Sequence, residues 1–221
     1  MELLKTLNSS RSLQVALDFI NIEDALKVAE EAVKAGADII ECGTPLLKAE
    51  GINALRRLNQ FGKIVLADTK TADAGDVEAE IVRLGGAKIM TVLGIMDDAT
   101  IESAVRKAHE YGILVQADLM NVKNVKERAK ELKELGVDII GLHVGLDVQK
   151  KRGITISDLK KEIEEVASLE VIVSVAGGLN KERVEELLDL PINIFVVGGA
   201  ITRSKNPFET TLEIVKVIKQ R

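Results

Sequence analysis

The sequence predicts an α/β fold of the (β/α)8 TIM-barrel class, with residues 1–221 forming a single domain. Three observations predict it: apolar, β-branched runs alternate with helical periodicity, one helix-to-strand joint recurs at residues 35–40 and 135–140, and the length suits one barrel. A doubly wound open sheet shares the alternation. Because eight units occur without a glycine-rich dinucleotide motif after the first strand, we favour the closed barrel.

Eight candidate strands, mostly about 25 residues apart, set the order of the chain. They begin near Leu13, Ala37, Lys63, Ala87, Ile113, Val137, Glu170 and Ile192. Residues 1–12 form a short amphipathic segment before the first strand. We expect this segment to cap one end of the barrel.

The segments between the strands carry helix signals. Residues 22–34 place their apolar side chains on one stripe and stop at Gly36, a glycine typical of a helix C-terminus. Another helix is expected over 101–111, which predicts that His109 is a surface residue near a helix C-terminus.

The sixth unit is longer than the others. The basic residues at 150–153 predict a mobile loop, and Ser157 is expected to cap a helix over 158–167. Pro207 is expected just inside the start of the last helix, where its missing N–H costs nothing.

Composition excludes several classes of protein. Thirty Lys and Arg against 35 Asp and Glu give a net charge of -5, so no basic stripe for nucleic acid is expected, although a local anion site is compatible with it. The single cysteine, Cys42, precludes an internal disulfide, and the first residues lack the apolar core of a signal peptide. No apolar run approaches the roughly 20 residues that span a bilayer. We expect a soluble, cytoplasmic protein with no membrane partner.

Ionisable side chains stand where several candidate strands end. In chain order they are Asp18, Glu41, Asp68 with Lys70, Asp118 and His143. Taken singly, each has an ordinary structural explanation, an ion pair at a strand end or a satisfied core histidine. In a TIM barrel, however, the active site is built at the C-terminal ends of the strands. Five strands with such groups at one rim therefore indicate an active site.

Strand alternation predicts which of these groups share the barrel interior. If Glu41 points inward, Cys42 faces the helices and is a small buried hydrophobe. Asp68 and Lys70 lie two residues apart and point to the same side. Two converging carboxylates, Glu41 and Asp68, must share a proton or bind a cation. Such oxygen ligands suit Mg²⁺, although Lys70 could neutralise them instead.

The last two strands end in glycine pairs. Gly177 and Gly178 follow the seventh strand, and Gly198 and Gly199 follow the eighth, with Arg203 shortly after. A lone Gly-Gly is ordinary turn chemistry, but the loops after strands 7 and 8 of such barrels commonly bind phosphate. Backbone N–H groups at glycines can approach an anion closely. The two pairs together predict a phosphate site.

These motifs together resemble those of a known group of barrels. Residues 14–18, 41–45 and 68–73, the last reading Asp-x-Lys-x-x-Asp, and the two Gly-Gly corners are similar to the orotidine monophosphate decarboxylase superfamily. Within it, Glu41, residues 117–120 and residues 143–149 resemble the 3-hexulose-6-phosphate synthases, the aldolases that join formaldehyde to ribulose 5-phosphate. The resemblance covers the chain from about Leu13 onwards.

The resemblance implies a role for each site residue. Glu41 and Asp68 would hold Mg²⁺, which would stabilise an enediolate formed when ribulose 5-phosphate loses a proton from C1. Lys70 would add positive charge beside that enediolate, and His143 would carry the proton of C1 or of the formaldehyde oxygen.

The remaining residues would bind the substrate or complete the assembly. Asp18 and Asp118 would orient the hydroxyl groups of the sugar, and the glycine corners with Arg203 would bind its phosphate. Asp73 would reach the site of a partner subunit, which implies a homodimer with shared active sites.

Two other functions stay open at this point. The related 3-keto-L-gulonate-6-phosphate decarboxylases (KGPDC) share the acidic and lysine positions but usually carry an arginine after the histidine, where residues 144–149 have none. The other alternative is a non-catalytic phosphosugar-binding barrel, against which intact Asp68, Lys70, Asp73 and His143 count. The direction of the aldol step and the identity of the divalent metal are left undetermined.

Overall fold

The computed structural model describes residues 2–219, in which eight parallel strands form a closed barrel with β8 paired to β1. The strands are β1 Ser12–Leu17, β2 Ile39–Cys42, β3 Ile64–Thr71, β4 Ile89–Leu93, β5 Leu114–Asp118, β6 Ile139–His143, β7 Ile172–Ala176 and β8 Ile194–Val197. The helices are α1 Glu2–Ser9, α2 Ile22–Lys34, α3 Thr44–Glu50, α4 Ile52–Asn59, α5 Gly75–Gly85, α6 Asp98–Glu110, α7 Val125–Glu134, α8 Leu146–Arg152, α9 Lys160–Ala167, α10 Lys181–Leu187, α11 Gly199–Thr202 and α12 Pro207–Lys219, with a 3₁₀ turn at Ile156–Leu159. The predicted barrel is confirmed; residues 1, 220 and 221 of the predicted domain lie outside the described residues.

Each strand begins within two residues of its predicted start, and most begin slightly later. The later start has a physical cause in the helix-to-strand segments at residues 35–40 and 135–140. Asp38, just before β2, accepts a hydrogen bond from the backbone N–H of Leu13 at 2.9 Å, and Asp138, just before β6, accepts one from Val115 at 2.8 Å. The joint residue thus pins the start of the neighbouring strand before its own strand begins.

The pairing register places the inward side chains in layers, as expected for a barrel of this kind. The lower layer, from the even strands, contains Ile39, Ile89, Ile139 and Ile194. Above it, the odd strands contribute Gln14, Leu66, Gln116 and Ser174. The even strands then contribute Glu41, Thr91, Gly141 and Val196, and the odd strands Ala16, Asp68, Asp118 and Ala176. Polarity therefore increases from an isoleucine floor toward the C-terminal rim.

The opposite side chains of the strands pack against the helices. Cys42 is fully buried in this outer core with Ile40 and Ala67, as predicted. Burial, and then the nearby carboxylate of Glu41, raises the pKa of the Cys42 thiol to about 12. The thiol therefore remains protonated at neutral pH.

The segment before the first strand packs against the inward side chains of the barrel. It folds as α1, and its Leu7 is fully buried against the isoleucine floor. Within residues 2–219, every helix is too short or too polar to cross a membrane.

Two local predictions in the sixth unit are wrong. Residues 150–153 do not form a loop, because α8 continues to Arg152 and ends at Gly153 with a left-handed φ of 71°. A basic last turn is favourable at a helix C-terminus. Ser157 is not the cap either: Thr155 and Asp158 form a capping box around the 3₁₀ turn that precedes α9.

Candidate active site

Lys70 lies between two buried carboxylates at the C-terminal rim of the barrel. Its Nζ is 2.8 Å from Asp68 Oδ2 and 3.3 Å from Asp118 Oδ2. Burial lowers the pKa of Lys70, but the charges of Asp68 and Asp118 more than compensate and hold it above its ordinary value. The site therefore contains a permanent ammonium group.

The backbone at the end of β3 is distorted so that Lys70 can reach this position. The register with β4 shifts between Ala67 and Thr71, and Lys70 has a φ of 44°, which is rare for a residue with a side chain. Thr91 on β4 holds the distortion in place, since its Oγ1 accepts from Lys70 N–H and donates to Asp68 Oδ1, both at 2.8 Å. Such backbone strain persists only where surrounding structure fixes it.

Asp118 joins the lysine to the histidine predicted from β6. Its Oδ2 is 2.8 Å from His143 Nδ1, and its Oδ1 accepts from Met120 N–H at 2.9 Å. Burial raises the pKa of Asp118, but the hydrogen bond and charge of His143, with Lys70, lower it overall. Because Nδ1 is engaged by the carboxylate, Nε2 is the nitrogen that His143 can offer to a ligand.

Glu41 lies one layer lower, and its surroundings carry excess negative charge. Burial, and then the carboxylates of Asp68 and Asp18, raise the pKa of Glu41 well above its usual range. Gln14 donates to Glu41 Oε2 at 2.6 Å. Asp18 at the rim also has a raised pKa, because of burial and then because of Asp68.

The negative charge of this cluster exceeds its positive charge. Four carboxylates, those of Asp18, Glu41, Asp68 and Asp118, surround one lysine, so a proton or a cation must balance the remaining charge. Within residues 2–219, no three His, Cys, Asp or Glu side chains form a complete metal cage. A pair of carboxylate ligands completed by water and substrate is the arrangement that Mg²⁺ commonly adopts.

The glycine corners also lie at the C-terminal end of the barrel. Gly177 and Gly178 have φ values of 123° and 75°, which favour glycine. Gly198 caps the short α11, and a Cβ on Gly199 would collide with the guanidinium of Arg203. The Arg203 guanidinium therefore covers the face of Gly199 where a side chain would otherwise project.

Asp73 is the predicted site residue that stands apart. It is exposed, and its Oδ1 accepts from the N–H of Ala74 at 2.8 Å. The contacts of the described residues bring together Asp18, Glu41, Asp68, Lys70, Asp118 and His143.

Several polar partners in the site were not predicted from the sequence. Thr44 donates to Asp68 Oδ2 at 2.7 Å. Thr91 donates to Asp68, and Gln14 donates to Glu41, as described above. Arg183 on α10 donates to the carbonyl of Gly178. Strand pairing in a barrel is the signal that could have identified Thr91, which is one strand away from Asp68.

A groove lies at the opposite end of the barrel from this cluster. The groove, of about 850 Å³, lies at the N-terminal end of the barrel, where Arg11, Asn193 and Lys219 are among its lining residues. It contains none of the carboxylates of the rim cluster. The groove is therefore separate from the candidate site.

Comparisons with known proteins show what the chain is similar to. A family model described as Orotidine 5'-phosphate decarboxylase / HUMPS family matches residues 11–214. The 3-hexulose-6-phosphate synthase of Mycobacterium gastri is 38% identical over 206 residues, which cover 91% of this chain and 97% of that protein. A crystal structure of 3-hexulose-6-phosphate synthase gives a TM-score of 0.89 at 37% identity, covering 94% of this chain and 99% of its own. A crystal structure of KGPDC from Streptococcus mutans gives a TM-score of 0.89 at 26% identity, covering 95% of this chain and 98% of its own.

Proposed function

The chain belongs to the Orotidine 5'-phosphate decarboxylase / HUMPS family, as its motifs predicted, and from this premise we propose that it is an aldehyde-lyase of the 3-hexulose-6-phosphate synthase type. The proposed reaction is the reversible condensation of formaldehyde with D-ribulose 5-phosphate to 3-hexulose 6-phosphate. One observation carries the proposal: a lysine ammonium and a histidine are both held by Asp118, beside the carboxylates of Asp68 and Glu41.

Lys70 supplies fixed positive charge in the proposed mechanism. Removal of a proton from C1 of ribulose 5-phosphate leaves an enediolate, and its negative charge develops beside the lysine. Preorganised charge at a developing oxyanion is usually the largest catalytic term. Asp68, Asp118 and Thr91 contribute by fixing the position of Lys70 before the substrate arrives.

His143 moves protons in this scheme. Its Nδ1 is tied to Asp118, so Nε2 accepts the C1 proton or gives a proton to the formaldehyde oxygen. The carboxylate fixes the ring orientation, as in other aspartate–histidine pairs. Asp18, at the rim, orients hydroxyl groups of the sugar.

Glu41 and Asp68 are the residues that would hold Mg²⁺. When bound, such a cation supplies Lewis acidity and positive charge to neighbouring substrate oxygens. Burial raises the pKa of Glu41 most, and the carboxylates of Asp68 and Asp18 raise it further, so a cation beside Glu41 would offset a charge that is costly to bury.

The sugar phosphate is assigned to the corners after β7 and β8. Gly177 and Gly178 have left-handed φ values, Gly198 and Gly199 stand at the start of α11, and Arg203 lies over Gly199. Cation and N–H groups at this end would fix the phosphate away from the carboxylates.

A homodimer is proposed on the surface around the site. Exposed large apolar side chains follow the C-terminal ends of several strands: Ile20, Val77, Ile95 and Leu146. A second copy that covers this rim would bring its own exposed Asp73 toward the site. A cytoplasmic location is proposed on the basis of the single, buried thiol.

The test is formaldehyde consumption by purified protein given ribulose 5-phosphate, with Mg²⁺ and with a chelator. We expect consumption that the chelator abolishes and Mg²⁺ restores. Consumption that persists unchanged in chelator would remove the metal from the proposal, and no consumption under any condition would contradict the aldolase.

The decarboxylase is the second candidate, since the chain is also similar to KGPDC from Streptococcus mutans. Release of CO₂ from 3-keto-L-gulonate 6-phosphate without aldol activity would support it. Binding of ribulose 5-phosphate with neither activity would instead indicate a phosphosugar-binding barrel.

A further inference from the structure

One layer of the barrel interior contains three buried polar side chains that the proposed reaction does not use. They are Gln14 on β1, Gln116 on β5 and Ser174 on β7, with 1%, 8% and 1% of their surfaces exposed. The register places them at one level, directly above the isoleucine floor. Leu66 on β3 completes the layer.

Each of the three ends in a polar atom that lacks a hydrogen-bond partner. Among the described residues, these buried atoms are Gln14 Oε1, Gln116 Oε1 and Ser174 Oγ. A buried polar group without a partner is costly, and native proteins commonly satisfy it with ordered water. Three such atoms in one layer therefore need hydrogen-bond partners that residues 2–219 do not supply.

The layer above lacks a side chain on one strand. Gly141 stands on β6, between the strands of Gln116 and Ser174, and contributes no side chain. A Cβ at Gly141 would lie 3.1 Å from Gln116 Nε2, so the glycine allows the amide of Gln116 to pack closely against the β6 backbone. The site is therefore polar on its sides, apolar below and free of a side chain at one position above.

We propose that ordered water occupies this layer and binds Gln14 Oε1, Gln116 Oε1 and Ser174 Oγ. Two amide oxygens accept and one hydroxyl donates, which matches the two donors and the acceptor capacity of a single water molecule. An apolar ligand would leave all three atoms unsatisfied.

The water also makes Gln14 a positioning residue for Glu41. It fixes the oxygen of the Gln14 amide, so that Nε2 is directed at Glu41 Oε2, 2.6 Å away. Water below, Gln14 in the middle and Glu41 above then form one hydrogen-bonded chain toward the rim. This inference does not depend on the proposed reaction.

The first test is a high-resolution crystal structure of the whole protein. We expect solvent density within about 2.6–3.2 Å of the three atoms. A dry layer, with the amides paired directly to each other or to Ser174, would overturn the proposal.

Two nearly isosteric variants, Ser174→Ala and Gln116→Met, provide the second test. Each removes one partner of the water, so we expect a loss of about 2–4 °C in Tm and weaker solvent density in the crystal. We also expect the Glu41 side chain to occupy more than one conformer. Thr211→Val is the matched control, because Thr211 is a fully buried, unpartnered hydroxyl on α12, outside the barrel interior. We expect its Tm to equal or exceed that of the wild type; if Ser174→Ala and Gln116→Met behave in the same way, the three-atom site does not hold water.

Discussion

Two histidine–aspartate pairs of equal length lie at opposite ends of this barrel. At the N-terminal end, His109 Nε2 is 2.8 Å from Asp138 Oδ2, and at the C-terminal end, His143 Nδ1 is 2.8 Å from Asp118 Oδ2. Asp138 uses the same oxygen to hold the backbone of Val115 at the start of β5. Asp118, at the other end of that strand, faces Lys70 instead.

The surroundings of the two pairs, and not their lengths, make only one of them a candidate for catalysis. The pair at the N-terminal end joins a surface histidine, 41% exposed, to a strand-pinning carboxylate. The pair at the C-terminal end is less exposed, at 24% and 7%, and shares its carboxylate with a second cation. Distance does not separate the two pairs. The two pairs differ in the presence of Lys70 beside Asp118 and in the end of the barrel at which they lie.

The largest effect should come from the lysine of the C-terminal cluster. Lys70→Ala removes the ammonium beside the enediolate, so we expect kcat/KM for the aldol reaction to fall by about 10³. The matched control is Lys219→Ala, because Lys219 pairs with Asp38 at 3.0 Å at the N-terminal end. Steady-state assays of both variants would contradict our role for Lys70 if they lost activity equally.

The histidines give the next comparison. His143→Gln should lower kcat/KM by about 10², because a positioned proton carrier is lost. His109→Gln should retain wild-type activity. Equal rates for both variants would mean that neither histidine moves a proton.

The two aspartates should differ in whether their loss affects activity or stability. Asp118→Asn disturbs both His143 and Lys70, and we expect about a tenfold to hundredfold loss of kcat. Asp138→Asn should leave kcat unchanged but lower Tm by about 2–4 °C, since it weakens the bond to Val115 N–H. Kinetic and thermal-unfolding measurements on both variants would test this difference. A loss of kcat in Asp138→Asn would contradict it.

The smallest effect is expected for the contribution of Glu41 to the pH dependence of stability. Its folded pKa is raised, so the folded state binds the proton more tightly than the unfolded chain, and stability is lost as pH rises above about 4.3. Glu41→Gln removes this cost. In chelator we expect the variant to unfold a few degrees above wild type at pH 7.5 and at the same temperature near pH 4.

Mg²⁺ supplies the control for that experiment. It should raise the Tm of the wild type at pH 7.5 more than that of Glu41→Gln. If the difference in Tm between the wild type and Glu41→Gln is the same at both pH values, ionisation of Glu41 does not destabilise the folded protein.

The strands, their order and the rim carboxylates could be predicted because they depend on local alternation. Glu41 and Cys42 are adjacent, so fixing one inward sends the other toward the helices. The same parity placed Asp68 and Lys70 together, although only the structure reveals the bulge and the φ of 44° that bring the amine to Asp118.

Residues that act across strands could not be predicted in the same way. Thr91 and Gln14 reach Asp68 and Glu41 only because the register of a closed barrel brings neighbouring strands level. The cap at Thr155 was missed for a related reason. A 3₁₀ turn precedes α9, and a turn of that type shifts the cap by two residues from Ser157.

Exchange of the C1 protons of ribulose 5-phosphate in D₂O, followed by proton NMR without formaldehyde, tests the central claim most directly. It isolates enediolate formation from the later carbon–carbon bond. With Mg²⁺ present, we predict exchange by the wild type and by Lys219→Ala, and none above background by Lys70→Ala. Exchange by Lys70→Ala at the wild-type rate, or its absence in the wild type, would contradict the assignment of the C-terminal cluster as the catalytic centre.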